Sequence, residues 1–142
     1  MTPRVLAALA LLAVGAGCRS NSVPQPVTSK EVVVWKAVGS WSGHGNKQTE
    51  TFASDTGGCR VRWETKNPAR PNAGHLQVVF RSGDSGREII NAVDERTVGA
   101  DHDTVEVSAE RPRWYYLTID SADVDWIVVV DERIDASVKA PS

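Results

Sequence analysis

Cysteine is scarce in this chain: of 142 residues only Cys18 and Cys59 are cysteine, alongside one methionine, two phenylalanines and three histidines. A disulfide-dense scaffold needs several paired cysteines, so that class is excluded and the core must hold by packing alone. His44, His75 and His102 stand far apart without cysteine partners, so the local ligand pairs of a zinc site are missing. Basic residues are not in excess, 16 Lys and Arg against 18 Asp and Glu. A nucleic-acid partner would require clustered positive charge. No apolar run reaches the ~20 residues of a spanning helix. No Gly-x-Ser-x-Gly elbow marks a nucleophile, and nothing after residue 18 keeps a 3.6-residue hydrophobic period over three turns.

What is present begins with Arg4, an apolar run at residues 5–14, and Gly15-Ala16-Gly17-Cys18. A charge, a short apolar run and small residues are the parts of an export signal. A single cysteine directly after them resembles the lipobox of bacterial lipoproteins, with Gly15 standing where that family usually carries an aliphatic residue and Val14 displaced by one. The resemblance implies that residues 1–17 are removed and that Cys18 becomes an N-terminus bearing acyl chains such as palmitate. The alternative is an ordinary cleaved signal with an incidental cysteine. The lipoprotein resemblance also implies a place at the bacterial cell envelope, outside the cytoplasm, and on the outer membrane where a cell has two. The membrane is then a partner through Cys18; one acyl chain anchors marginally and two or more stably, at ~0.8 kcal/mol per buried methylene. The mature chain keeps 15 basic residues against 18 acidic ones, a formal charge of −3, and Cys59 as its remaining thiol.

Residues 18–30, polar and carrying Pro24 and Pro26, read as a flexible tether. Residues 31–135 read as one domain and 136–142 as a frayed tail. Within the domain, β-branched and aromatic runs at 31–38, 49–53, 59–63, 76–80, 87–93, 104–108, 114–119 and 126–130 are separated by Gly, Pro, Asp and Asn. Alternation puts Cys59, Val61 and Trp63 on one face of a strand and Arg60 and Arg62 on the other. Residues 41–46 read as a turn or bulged edge, 94–103 as a loop, and 120–125 as the connection between the last two strands. Seven or eight short strands at intervals of about ten residues predict an all-β, antiparallel β-sandwich, with a small β-barrel as the alternative. Trp41 with Gly43 and Gly45, Thr49 with Phe52, Arg60-Val61-x-Trp63, Tyr115-Tyr116-Leu117 and Trp126-x-Val128 together resemble small exported bacterial β-sandwich domains. That resemblance implies the fold and no activity.

Five tryptophans invite a carbohydrate-binding reading, because exposed indole faces stack on flat apolar surfaces. Trp63 and Trp126 alternate with aliphatic residues and are expected in the core; Trp41 and Trp114 are open to either environment. Asp101-His102-Asp103 reads as a solvated loop cluster. Asp120, Asp123 and Asp125 lack the spacing of a known calcium loop and read as turn residues. Cys59 is expected to be a buried, inert thiol. Arg60 and Arg62 form either an anion-binding ridge or a pair facing cross-strand acids. No catalytic, cofactor or metal residue is assigned, and Cys18 is the one assigned site. The composite expectation is a non-enzymatic structural or interaction role at the envelope, with a protein or polysaccharide partner. The alternative is a carbohydrate-binding module or surface hydrolase, marked by coplanar exposed tryptophans or two close carboxylates in a cleft.

Overall fold

A computed structural model describes Gly17, Pro24 and residues 30–109 and 113–138. Cys18, the signal, most of the tether and residues 139–142 lie outside the described residues. Nine strands follow in order: β1 Lys30–His44, β2 Lys47–Gln48, β3 Phe52–Ser54, β4 Gly58–Lys66, β5 Gly74–Ser82, β6 Glu88–Val98, β7 Asp101–Ser108, β8 Arg113–Ala122 and β9 Asp125–Val138. They form a four-stranded sheet in the order β1-β9-β4-β7 and a five-stranded sheet in the order β2-β8-β5-β6, with β3 also pairing β8. All pairings are antiparallel. The fold is therefore an antiparallel β-sandwich, and because the two sheets are separate the barrel alternative does not hold.

The period-two pattern explains the core. From the four-stranded sheet Val61 and Trp63 on β4 and Trp126, Val128 and Val130 on β9 turn inward; from the other come Leu76, Val78 and Phe80 on β5 and Tyr115, Leu117 and Ile119 on β8. Each such side chain contributes about 1.5–3 kcal/mol by leaving water. An aromatic chain crosses the gap between the sheets, Trp41 to Phe52 at 5.6 Å and Phe52 edge-on to Phe80 at 6.1 Å between ring centroids. Cys59 is buried beside Val61, and burial pushes its thiol pKa up.

Four sequence readings are corrected. Of residues 41–46 only Gly45, with φ of 86°, and Asn46 form a turn: 41–44 belong to edge strand β1, which runs on to His44 through a bulge between Ala37 and Gly39. The extra residue redirects Trp41 inward, where its ring lies over Gly39 so closely that a Cβ there would come within 2.1 Å of it. Residues 94–103 are not a loop but the end of β6, a corner at Gly99 and Ala100, and the start of β7. Buried Thr65 holds that corner, donating to the Gly99 carbonyl at 2.6 Å and accepting from the Asp101 amide at 3.2 Å. The alternation fails there because residues 94–97 are exposed on both faces. Asp101, His102 and Asp103 consequently sit on an edge strand. Finally, β9 continues to Val138, past the expected end of the domain, because β1 supplies partners as far as Lys30↔Val138.

β4 accompanies β9 only as far as Cys59↔Glu132. Residues 30–35 and 133–138 therefore pair only with each other as a two-stranded ribbon of roughly 20 Å at ~3.3 Å per residue, its base, Trp35 and Arg133, still resting on Arg60 and Gly58 of β4. Val33 and Val34 on this ribbon are exposed.

The burial pattern sets an expectation for stability. Trp126, 1% exposed and donating its indole N–H to the Gly45 carbonyl at 2.9 Å, should lose ~3–5 kcal/mol as Trp126→Ala. Trp114, 56% exposed, should lose ~0.5 kcal/mol or less as Trp114→Ala. Urea midpoints of the two variants check this; equal losses would contradict the assignment of core and surface.

Candidate functional site

One aromatic side chain stands out of the surface. Strand β8 alternates Tyr115, Leu117 and Ile119 inward, so Trp114 faces outward at the strand's beginning, where the five-stranded sheet ends. Its backbone is fixed from both sides. Ala53 on β3 is its register partner, and the Gly83 amide donates to the Trp114 carbonyl at 2.8 Å. Gly83 is needed for that approach, since a Cβ there would come within 2.9 Å of the Trp114 Cβ. Around the indole, Ala53, Ser54, Asp55, Asp84 and Arg113 complete an open hollow of about 410 Å³.

The two acidic residues of this shelf ride on turns that buried side chains hold. Asp84 belongs to the turn at residues 83–86. There Ser82, 4% exposed, accepts from the Asp84 and Ser85 amides at 3.3 Å each through its hydroxyl, and its carbonyl accepts from Gly86 at 2.8 Å. Asp55 belongs to the turn at residues 55–57, held by Glu132 from the opposite sheet. Glu132 follows Trp126, Val128 and Val130 on the inward face of β9 and is 5% exposed. Its Oε1 accepts from the Asp55 amide, from the Thr56 amide at 2.9 Å and from the Ser54 hydroxyl at 3.1 Å. Ser54 in turn accepts from the Gly57 amide at 3.1 Å. A buried carboxyl without such partners would be strongly destabilising; with them it fixes both the turn and its own orientation.

The other sequence candidates lie elsewhere and apart. His44 is at the far end of the sandwich, where its Nδ1 meets Asp125 Oδ1 at 2.8 Å. Asp125 also accepts from the Asn67 amide group at 2.8 Å. Asn67 first, and His44 after it, hold the Asp125 carboxyl below the usual carboxylate range. His75 is on β5, its carbonyl accepting from the Ser121 hydroxyl at 2.9 Å. His102 is exposed on edge strand β7 opposite Glu64. Asp120 ends up on β8 and Asp123 in the β8–β9 turn with φ of 61°. Among the described residues no three histidine, cysteine or acidic side chains gather at a metal-sized site.

Arg60 and Arg62 do meet a cross-strand acid. Both guanidinium groups donate to Asp131 Oδ2 at 2.7 Å, and Arg62 adds a second bond to Oδ1 at 3.1 Å. Arg60 also lies 4.7 Å from the Trp35 ring centre, a cation–π contact. Of the five tryptophans, Trp41, Trp63 and Trp126 are buried and Trp35 is covered by Arg60, so no coplanar exposed pair forms. Trp63 is buried with its indole N–H unpaired among the described residues.

Asp55, Asp84, Asp131 and Glu132 were not singled out by sequence. The signal for Glu132 was nevertheless there, since it continues the inward series 126, 128, 130 at period two. Compared with known proteins, the chain matches no protein-family model and no curated protein sequence.

The Asp131 cluster gives a pH dependence. Arg62, then Arg60, holds the Asp131 carboxyl below its ordinary value despite burial. A folded pKa below the unfolded value of ~3.9 contributes stability that is complete above it and lost as pH falls through the folded pKa. Asp131→Asn should therefore cost ~1–3 kcal/mol at pH 7. Its gap from the parent should narrow from about pH 4 downward in acid-titrated urea melts; a gap constant with pH would contradict the ion pairing.

Proposed function

We propose that this chain is a lipid-anchored protein of the bacterial cell envelope whose β-sandwich has a non-enzymatic interaction role. The observation that carries the reading is the Gly15-Ala16-Gly17-Cys18 sequence behind a charged and apolar leader, which resembles the lipobox at all but the Gly15 position. Its place is outside the cytoplasm, on the outer membrane in a cell with two membranes.

The fold supports an interaction role in two ways. Lys30, where β1 starts, lies at the tip of the β1–β9 ribbon, and eleven residues, 19–29, separate it from Cys18. A chain of that length spans at most ~40 Å, and the ribbon adds its own roughly 20 Å, so the Trp114 shelf can stand clear of the bilayer. The shelf itself offers an aromatic face with hydrogen-bonding groups around it. Its one hydroxyl beside an acid, Ser54 on Glu132, is 1% exposed and committed to the turn, so it is not poised as a nucleophile.

Mass spectrometry of the purified N-terminus should show acyl chains on Cys18. The protein should enter the detergent phase on cloud-point partition, and Cys18→Ser should leave it in the aqueous phase. An unmodified N-terminus at any other residue would overturn the reading.

A further inference from the structure

We infer that the Trp114 shelf is a binding site for a glycan, taking one pyranose ring with its flat C–H face against the indole. The inference rests on reading the shelf as an interaction surface, and not on acylation of Cys18. Three features of the shelf carry it.

The first is exposure against expectation. Trp114 shows 56% of its surface, whereas the three core tryptophans show 7% or less. An indole left in water costs free energy that a ligand covering it recovers. The second is chemistry. A pyranose with equatorial hydroxyls has an apolar face and a rim of hydroxyl groups. The apolar face suits the indole, while the hydroxyl rim suits Asp55 and Asp84, the exposed acids that line the hollow, as acceptors. The third is rigidity. The Trp114 backbone is held by Ala53 and Gly83, the Asp84 turn by Ser82 and the Asp55 turn by Glu132, so little backbone ordering remains to oppose binding.

The same features disfavour insertion of Trp114 into a bilayer. Two exposed acids line the hollow beside the indole, and the surface of an anionic membrane repels carboxylates. The hollow is open rather than closed, which suits one residue within a longer chain entering and leaving at its sides. The ligand class is accordingly a chain of pyranoses with equatorial hydroxyls, for which the β-linked hexaoses below serve as probes.

The test uses the full chain in a nonionic detergent, titrated with chitohexaose and with cellohexaose and followed by calorimetry and tryptophan fluorescence. Saturable binding to at least one hexaose is expected. Trp114→Ala should weaken it roughly tenfold or more with an unchanged unfolding midpoint, and Trp114→Tyr should retain most of it. Asp84→Asn should weaken it by about threefold to tenfold, on the scale of one hydrogen bond. Cys18→Ser should lose membrane attachment and keep glycan affinity, which separates failure of the anchor from failure of the shelf. A parallel arm offers the Cys18→Ser chain vesicles of dioleoyl phosphatidylglycerol and phosphatidylethanolamine. Absence of saturable binding to both hexaoses, binding that Trp114→Ala leaves intact, or Trp114-dependent binding to the vesicles alone would each overturn the inference.

Discussion

The carboxyl of Glu132, buried between the sheets at the end of the core, is the interaction on which the shape of this end depends. Strand β9 runs through the middle of its sheet with β1 on one side and β4 on the other, so every second side chain from Trp126 onward is driven into the core. Continuing that alternation past Val130 places an acid where an aliphatic residue would be easier to bury. The cost of removing a carboxyl from water is offset only because three donors from residues 54–56 converge on one oxygen. An apolar residue there would fill the space and leave the Asp55 and Thr56 amides without that acceptor. Burial of an acid thus couples the four-stranded sheet to a turn of the opposite side, and that turn carries one wall of the Trp114 shelf.

On the outer face of the same strand the preceding residue inverts the arrangement. Asp131 is at least as buried as Glu132, yet it is satisfied by charge, with two guanidinium groups from β4 covering it and Trp35 covering one of them. The two arginines that sequence offered as an anion-binding ridge are thereby committed within the sheet. β9 is thus tied to both of its neighbours, to β4 through Asp131 and to β1 along a ladder that outlasts the rest of the sheet and becomes the ribbon. Lys30 and the Trp114 shelf therefore lie toward the same end of the sandwich.

Much of the sandwich was legible in the sequence because period-two alternation reports a face that is buried on one side. Cys59, Val61 and Trp63, or Leu76, Val78 and Phe80, give that signal cleanly, and both strands are where it puts them. It fails where strands run beyond the core. Residues 94–97 and 136–138 are strand beyond the alternating runs, so composition alone suggested loop and tail there, whereas 31–38 was read as strand. Trp41 was undecided because a bulge at residues 37–39 resets the register, and a bulge cannot be counted from spacing. The shelf was less legible still: Trp114 was seen, but Asp55 and Asp84 are ordinary turn residues until the fold brings two turns to one tryptophan. Glu132 was passed over because the strand was taken to end at Val130, where the residues become polar.

Whether Glu132 holds the shelf's turn is tested most directly by native-state hydrogen exchange at the Asp55 and Thr56 amides in the parent protein and in Glu132→Gln and Glu132→Ala. The expected result is a fall in protection at those two amides of roughly tenfold or more in Glu132→Ala, corresponding to the loss of a hydrogen bond to a charged group of ~1.5–3 kcal/mol. A smaller fall is expected in Glu132→Gln, with protection at Ser85 and Gly86 in the other turn changing only as far as global stability does. Unchanged protection at Asp55 and Thr56 in Glu132→Ala would contradict the role assigned to the buried carboxyl.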